Sequence, residues 1–138
     1  MVRFSPSTSE DADRIQKWAD ADPYHRGQKN PGWWLTGNGL LSFRLDDSRG
    51  PLVYVKITED DKQCRIHCQF APVEEVSKRR LALGMLRAFP VVMDYLEKQD
   101  VREVIFNTIS DSLGLFFTSQ GFIPEENCDY VLRFEKDK

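Results

Sequence analysis

Residues 64–84 read CRIHCQFAPVEEVSKRRLALG, and a change of rhythm inside them decides the fold. Up to Phe70 the apolar Cys64, Ile66, Cys68 and Phe70 alternate with Arg65, His67 and Gln69, the period of two that belongs to a strand. Pro72 breaks the alternation. From there the period becomes 3.6: Val76, Arg80, Leu83 and Ala88, then Val91, Val92, Tyr95 and Leu96, predict a long helix over about residues 77–98. Its apolar arc is wide, so the helix is expected to be largely buried. Pro90 falls inside it and is expected to kink it or end its first half, because proline lacks an N–H and its ring crowds the preceding turn.

Working outward, residues 40–45 and 52–58 read as two further strands, separated by the turn cluster Asp46-Asp47-Ser48-Arg49-Gly50. Glu59-Asp60-Asp61-Lys62 turns the chain again, so the three strands form a tightly joined antiparallel run. At the N-terminus, residues 2–4 are short and extended. Thr8 or Ser9 then caps a helix running to about Asp20, with Ala12, Ile15, Trp18 and Ala19 as its buried stripe, and Asp22-Pro23 stops it. Residues 23–38 mix proline and glycine with Tyr24, Trp33 and Trp34 and read as an irregular loop. Downstream, Val104-Ile105-Phe106 is a central-strand run. Ser110 or Asp111 caps a short helix that Gly121 ends, and residues 130–134 are a last strand. This order describes an α/β fold, a mixed, mostly antiparallel sheet with helices on both faces.

The 138 residues, 41% apolar and 30% charged, suit one globular domain over residues 1–138. A net charge of -3 excludes a protein that grips a phosphate backbone by bulk charge, so no nucleic-acid partner is expected. No apolar run approaches the roughly 18 residues of a membrane span, no membrane partner is expected, and no export signal opens the chain; the protein is expected in the cytoplasm. Cys64, Cys68 and Cys128 are expected as reduced thiols. Along a strand Cys64 and Cys68 lie about 13 Å apart, beyond disulfide reach and too far to share a zinc ion, and His67 points to the opposite face. No metal is expected.

The chemistry concentrates where the strand meets the long helix. Lys78, Arg79 and Arg80 stand beside Leu81-Ala82-Leu83-Gly84 near the helix start, where unpaired backbone N–H groups and the helix dipole favour an anion such as a pyrophosphate. Ala82 and Gly84 are small enough to admit it. Arg79-Arg80-Leu81-Ala82-Leu83-Gly84 resembles the Arg/Gln-x-x-Gly-x-Gly/Ala segment of the GCN5-related N-acetyltransferase (GNAT) superfamily, which wraps the pyrophosphate of acetyl-coenzyme A. The stretch from Ser110 through Leu113, Phe116 and Phe117 to Gly121 and Phe122 resembles that superfamily's Asn-x-x-Ala-x-x-Phe-Tyr-x-x-x-Gly-Phe segment. The order of elements is similar over nearly the whole chain.

The resemblance implies a GNAT-like fold and acetyl-coenzyme A as cofactor. The backbone at Phe70, Ala71 and Pro72 would lie along the pantetheine arm, between two splayed central strands. Amides from Arg80 to Gly84, through Leu81, Ala82 and Leu83, would hold the pyrophosphate. Ser110 falls where the family often has asparagine, and Phe117 where it often has the tyrosine that protonates the departing thiolate. Ala82 stands in place of the first glycine, and Phe117 has no hydroxyl. Water, Ser119 or Tyr130 are the alternative proton donors. Glu75 and Glu74 are the candidate general bases, with His67 and Gln69 next. Trp33, Trp34 and His67 are candidate substrate contacts, near Tyr24 and His25; the two tryptophans equally suit pinning the loop onto the sheet. The implied activity is acetyl transfer to a primary amine, on a small molecule or a peptide, by direct attack in a ternary complex. The departures also admit a catalytically inactive binding or structural module of the same fold. Exposed strand edges are compatible with a homodimer.

Overall fold

The computed structural model describes residues 2–22, 30–35 and 39–134. In chain order its elements are β1 (Val2–Ser5), α1 (Ala12–Ala21), β2 (Leu41–Asp47), β3 (Gly50–Asp60), β4 (Gln63–Phe70), α2 (Lys78–Lys98), β5 (Glu103–Asn107), α3 (Asp111–Ser119), β6 (Ile123–Pro124) and β7 (Asp129–Arg133). The strands form one sheet in the order β1-β2-β3-β4-β5-β7-β6. All neighbouring pairs are antiparallel except β4 and β5, the one parallel pair, whose crossover is α2.

The turn chemistry explains the antiparallel meander. Asp61 and Lys62 both adopt left-handed backbone, at φ 48° and 68°, the conformation that a two-residue hairpin between β3 and β4 demands. Between β2 and β3, Gly50 sits at φ 130°, where a side chain would be strained. β2 runs on through Asp46 and Asp47, residues expected in the turn, after a register shift at Leu45/Asp46. Aspartate in a strand is unusual, and here each carboxylate is bound: Asp46 to Arg44 and Asp47 to Arg80.

Alternation sends Phe43, Leu45, Val55, Ile66 and Cys68 to one face of the sheet, where Met85, Ala88, Phe89 and Met93 of α2 cover them. On the other face Trp18 of α1 packs against Tyr54, ring centroids 5.2 Å apart. Beneath Tyr54 lies a polar cluster. The buried Asp11 accepts from Tyr54 Oη at 2.6 Å, Arg44 Nη1 at 3.0 Å and Arg14 Nη1 at 3.1 Å, while its other oxygen accepts from Thr8 N at 2.8 Å. Burial alone would raise the Asp11 carboxyl, but the bonds from Thr8, Tyr54 and Arg44 together hold it below its ordinary value.

Two expectations need correction. Of the two outcomes expected at Pro90, a kink or an end, the end does not occur: α2 continues through it to Lys98, with Pro90 and Leu86 on the exposed side. The helix is also less buried than its composition suggests. Leu83, Leu86, Val91 and Tyr95 are 39–54% exposed, and burial is confined to the line through Gly84, Met85, Ala88, Phe89, Met93 and Leu96. The two-residue strand β6 carries no periodicity to read and was not expected from the sequence.

Candidate active site

β4 and β5 pair only from Gln63↔Glu103 to Arg65↔Ile105. Beyond that point β4 stays with β3 as far as Phe70, and β5 stays with β7 as far as Asn107. Each strand keeps its outer partner and leaves the inner one, so a wedge opens in the middle of the sheet. A cleft of about 820 Å³ occupies it, walled by Trp33, Trp34, His67 and Asn107. A second cleft of about 580 Å³ lies between the end of α1, the β4–α2 turn and the start of α3. Asp22, Phe70 and Leu113 line both, so the clefts meet at those residues.

The second cleft gathers many of the residues expected near a cofactor: Phe70, Ala71, Pro72, Leu81, Ala82 and Ser110, with Glu74 at its edge. Ala71 N–H donates to Leu52 O at 2.9 Å and is therefore spent on the sheet. Helix α2 starts at Lys78, capped by Ser77, whose Oγ accepts from Arg80 N at 3.2 Å, and Leu81 N already donates to Ser77 O. The first-turn amides are thus those of Lys78, Arg79 and Arg80, and the expected span from Arg80 to Gly84 is displaced into the helix by about half a turn or more. Arg79 is exposed on that first turn.

Other expected residues are directed elsewhere. Arg80 forms a bidentate pair with Asp47. Leu83 is exposed. Gly84 faces the sheet, and a Cβ there would sit 2.4 Å from Leu52 Cδ1, so its smallness serves helix–sheet packing. Phe117 is wholly buried and stacks on Phe106 at 4.1 Å, whereas its neighbour Phe116 lines the second cleft. Glu75 lies outside both clefts, 3.8 Å from Lys17. Tyr130 Oη is packed against α3 at Gly114, and Ser119 Oγ donates to Phe116 O at 2.6 Å on the exposed side, so neither hydroxyl lines a cleft. Lys78, read in the basic run, and Phe116, read in the α3 segment, line the site, as do Asp22 and Ser112, to which the sequence had given no site role. Asp22 read there only as part of a helix stop. Tyr24 and His25 lie outside the described residues.

The tryptophan wall is pinned. Lys56 Nζ donates to Trp33 O at 2.9 Å and sits 3.9 Å from the centroid of the Trp33 ring. Trp33 packs edge-on against both Trp34 and His67, each at 4.9 Å, and Ser7 Oγ donates to Trp34 O at 2.8 Å. His67 Nε2 is bonded to Thr58 Oγ1 at 3.2 Å. The two readings of Trp33 and Trp34, packing and pocket wall, are therefore compatible. Burial pushes the Cys68 thiol up to about 12, so it remains protonated at neutral pH and is a poor nucleophile.

No family model matches the chain, and no curated protein matches it by sequence. Solved structures do. The ribosomal-protein-S18-alanine N-acetyltransferase from Escherichia coli superposes with a TM-score of 0.73 at 13% identity, over 100% of this chain and 97% of that one. A GNAT-family acetyltransferase from Staphylococcus aureus gives 0.73 at 11% identity, over 98% and 100%. The chain has the GNAT acetyltransferase fold. Arabidopsis thaliana NAA60, solved in complex with acetyl-CoA, gives a TM-score of 0.69 at 14% identity, over 97% and 100%. At identities this low the superpositions show the fold alone, the GNAT-like architecture expected from the order of elements.

Proposed function

We propose that the protein is an acetyl-coenzyme A-dependent N-acetyltransferase that acetylates a primary amine by direct transfer, in the cytoplasm. The observation that carries this reading is the β4/β5 wedge, which joins a cleft running from the start of α2 to a second, aromatic-walled cleft.

The residues fit the cofactor. A diphosphate suits the first turn of α2, where the Lys78 and Arg79 amides meet the helix dipole, Lys78 lines the cleft and Arg79 is exposed on the same turn. Ala82, Ser110 and Ser112 keep the cleft floor open, while Phe70, Pro72, Leu113 and Phe116 offer apolar walls for an extended arm. When bound, acetyl-coenzyme A supplies an activated acetyl group and a thiol leaving group. The chain's part is then to position an amine and exclude water. The wedge receives the amine from the side of Trp33, Trp34 and His67, and the junction at Asp22, Phe70 and Leu113 is where the contents of the two clefts meet. A thiol of ordinary acidity leaves as a thiolate near neutral pH, so the position of Phe117 in the core does not forbid transfer.

Differential thermal unfolding tests the reading. Ligand linkage gives about 2.7 kcal/mol at a hundredfold excess over Kd, so coenzyme A and acetyl-coenzyme A should raise Tm clearly. No shift at millimolar concentration would reject the reading. A second reading is a non-catalytic binding module of the same fold, favoured by the burial of Phe117 and the absence of any tyrosine hydroxyl from the clefts among the described residues. It predicts the Tm shift without acetyl transfer to spermidine, kanamycin or an alanine-terminated peptide.

A further inference from the structure

Among the described residues, the lining where the two clefts meet contains one ionisable side chain, Asp22, beside the apolar Phe70 and Leu113. Asp22 closes α1, and its Oδ2 accepts from Gln69 Nε2 at 3.1 Å. Gln69 is wholly buried and also donates to its neighbouring carbonyl, Phe70 O, at 3.3 Å. A buried amide in a strand, oriented by a backbone carbonyl, holds its partner in a defined place, which is more than an exposed carboxylate at a helix end ordinarily has. The helix C-terminus adds partial negative charge at the same point.

Among the described residues the other ionisable groups around the larger cleft are Arg65, His67 and the thiol of Cys68, with Arg65 directed to Asp129 at 3.6 Å. Glu74 and Lys78 stand on the side of the smaller cleft. Among the described residues Asp22 is thus the sole carboxylate facing the aromatic-walled cleft. A carboxylate held at the meeting point of an apolar junction and a wide, tryptophan-walled opening is suited to a compact cation entering from that opening.

We propose that Asp22, held by Gln69 where the two clefts meet, is the ammonium-binding residue of the acceptor site, so that the acceptor is a primary amine that arrives as a cation. This rests on the acetyltransferase reading for its biological sense, though the binding itself can be measured without turnover. The role is one of capture and alignment: the carboxylate accepts hydrogen bonds from the ammonium and sets the nitrogen at the junction.

Trp33 and Trp34 make the cleft observable by intrinsic fluorescence. Spermidine, kanamycin and a peptide with a free N-terminal alanine serve as probes, and the same peptide with an acetylated N-terminus is the neutral control. At least one free amine should bind the wild-type protein, and the acetylated peptide should not. Asp22→Asn should weaken that binding tenfold or more and Asp22→Glu by less. If Asp22→Asn fails to fold, the free and acetylated peptides compared on the wild-type protein decide the matter. Equal binding of the two peptides, no response to any amine, or undiminished amine binding by Asp22→Asn would each overturn the subsite while leaving a coenzyme A shift, and the reading it supports, intact. Conversely, Asp22-dependent amine binding without a coenzyme A shift would sustain the subsite and remove the transferase.

Discussion

Arg80 grips Asp47 with two parallel hydrogen bonds, Nε to Oδ2 at 2.9 Å and Nη2 to Oδ1 at 2.8 Å, tying the first turn of α2 to the β2–β3 hairpin. The Arg80 guanidinium holds the Asp47 carboxyl at about 2, below its ordinary value. A depressed carboxylate stabilises the fold above its unfolded pKa and loses that contribution as pH falls through the folded value, here between about pH 4 and 2. Solvent screening at this rim leaves about 1 kcal/mol. Arg80→Ala should therefore lower Tm at pH 7 and show less further loss on acidification than wild type, read by thermal melts across that range. A parallel acid dependence in the two proteins would deny the pair its role.

Arg79 and Arg80, adjacent in a basic run, are consequently separable. Arg79→Glu should weaken coenzyme A binding with Tm unchanged, because the side chain is exposed beside the first-turn amides. Arg80→Glu should first cost stability, by facing Asp47 with a like charge. Titration of coenzyme A against each variant, beside its melting curve, distinguishes them; Arg79→Glu with wild-type affinity would place the diphosphate elsewhere.

Gly84 invites the same dissection. Alanine is favoured over glycine inside a helix by about 1 kcal/mol, yet the added Cβ would lie 2.4 Å from Cδ1 of the buried Leu52, which would have to shift within the core. Overpacking of this kind costs about 1–3 kcal/mol. Gly84→Ala should lower Tm while coenzyme A affinity of the folded protein holds, and Leu52→Ala in the same chain should relieve part of the loss. A Gly84→Ala protein of full stability that no longer binds coenzyme A would return this glycine to the cofactor.

These residues show which features the sequence made legible. The alternation of Cys64, Ile66, Cys68 and Phe70 against Arg65, His67 and Gln69 is a local property, and the strand register follows it. Ser110 announces its helix through local cap chemistry, and its side chain accepts a first-turn amide, that of Leu113. What stayed hidden depends on partners distant along the chain. Asp46 and Asp47 look like turn residues until Arg44 and Arg80 are placed beside them. Asp22 looks like a helix stop until Gln69 comes to it across 47 positions. Phe116 and Phe117 differ only in which side of a short helix faces the core, and a one-residue difference reverses cleft and interior.

Asp11 has the most at stake of the buried charges, with Thr8, Tyr54, Arg14 and Arg44 all bonded to it. Asp11→Asn leaves Arg14 and Arg44 short of a counter-charge, and breaking a buried pair should cost about 2 kcal/mol or more. Since the native carboxyl sits below its ordinary value, its contribution is present above the unfolded pKa and fades below about pH 4. Urea melts at pH 7 and pH 3 should show the wild-type advantage over Asp11→Asn shrinking at the lower pH; an advantage independent of pH would mean that shape rather than charge sustains the cluster.

Phe117 is the position where tyrosine would restore a family-like hydroxyl, and the structure argues against doing so. The ring is wholly buried, stacked on Phe106 and packed edge-on against Phe89, Phe116 and Phe122. A hydroxyl there enters an apolar cluster with no partner, at a cost of about 1–3 kcal/mol. Phe117→Tyr should lower Tm and give no gain in acetyl transfer, measured as thiol release from acetyl-coenzyme A in the presence of an amine. A rise in turnover would show that this side chain reaches the cleft.

Direct transfer, finally, can be told from transfer through a cysteine. Cys68 borders the larger cleft, close to where an acetyl group would be presented, and a double displacement through its sulfur is the natural rival mechanism. Burial raises that thiol to about 12, so only a very small fraction is thiolate at pH 7. Cys64 is pushed up to about 11 by burial, aided by Glu59, and shares the handicap. Cys68→Ala should keep most of any acetyl transfer to an amine, and intact mass measured after incubation with acetyl-coenzyme A alone should show no acetyl adduct. The initial-rate pattern should be that of a ternary complex, with lines that intersect as both substrates are varied. A stoichiometric adduct that disappears in Cys68→Ala, or a family of parallel lines, would replace direct attack with the two-step route.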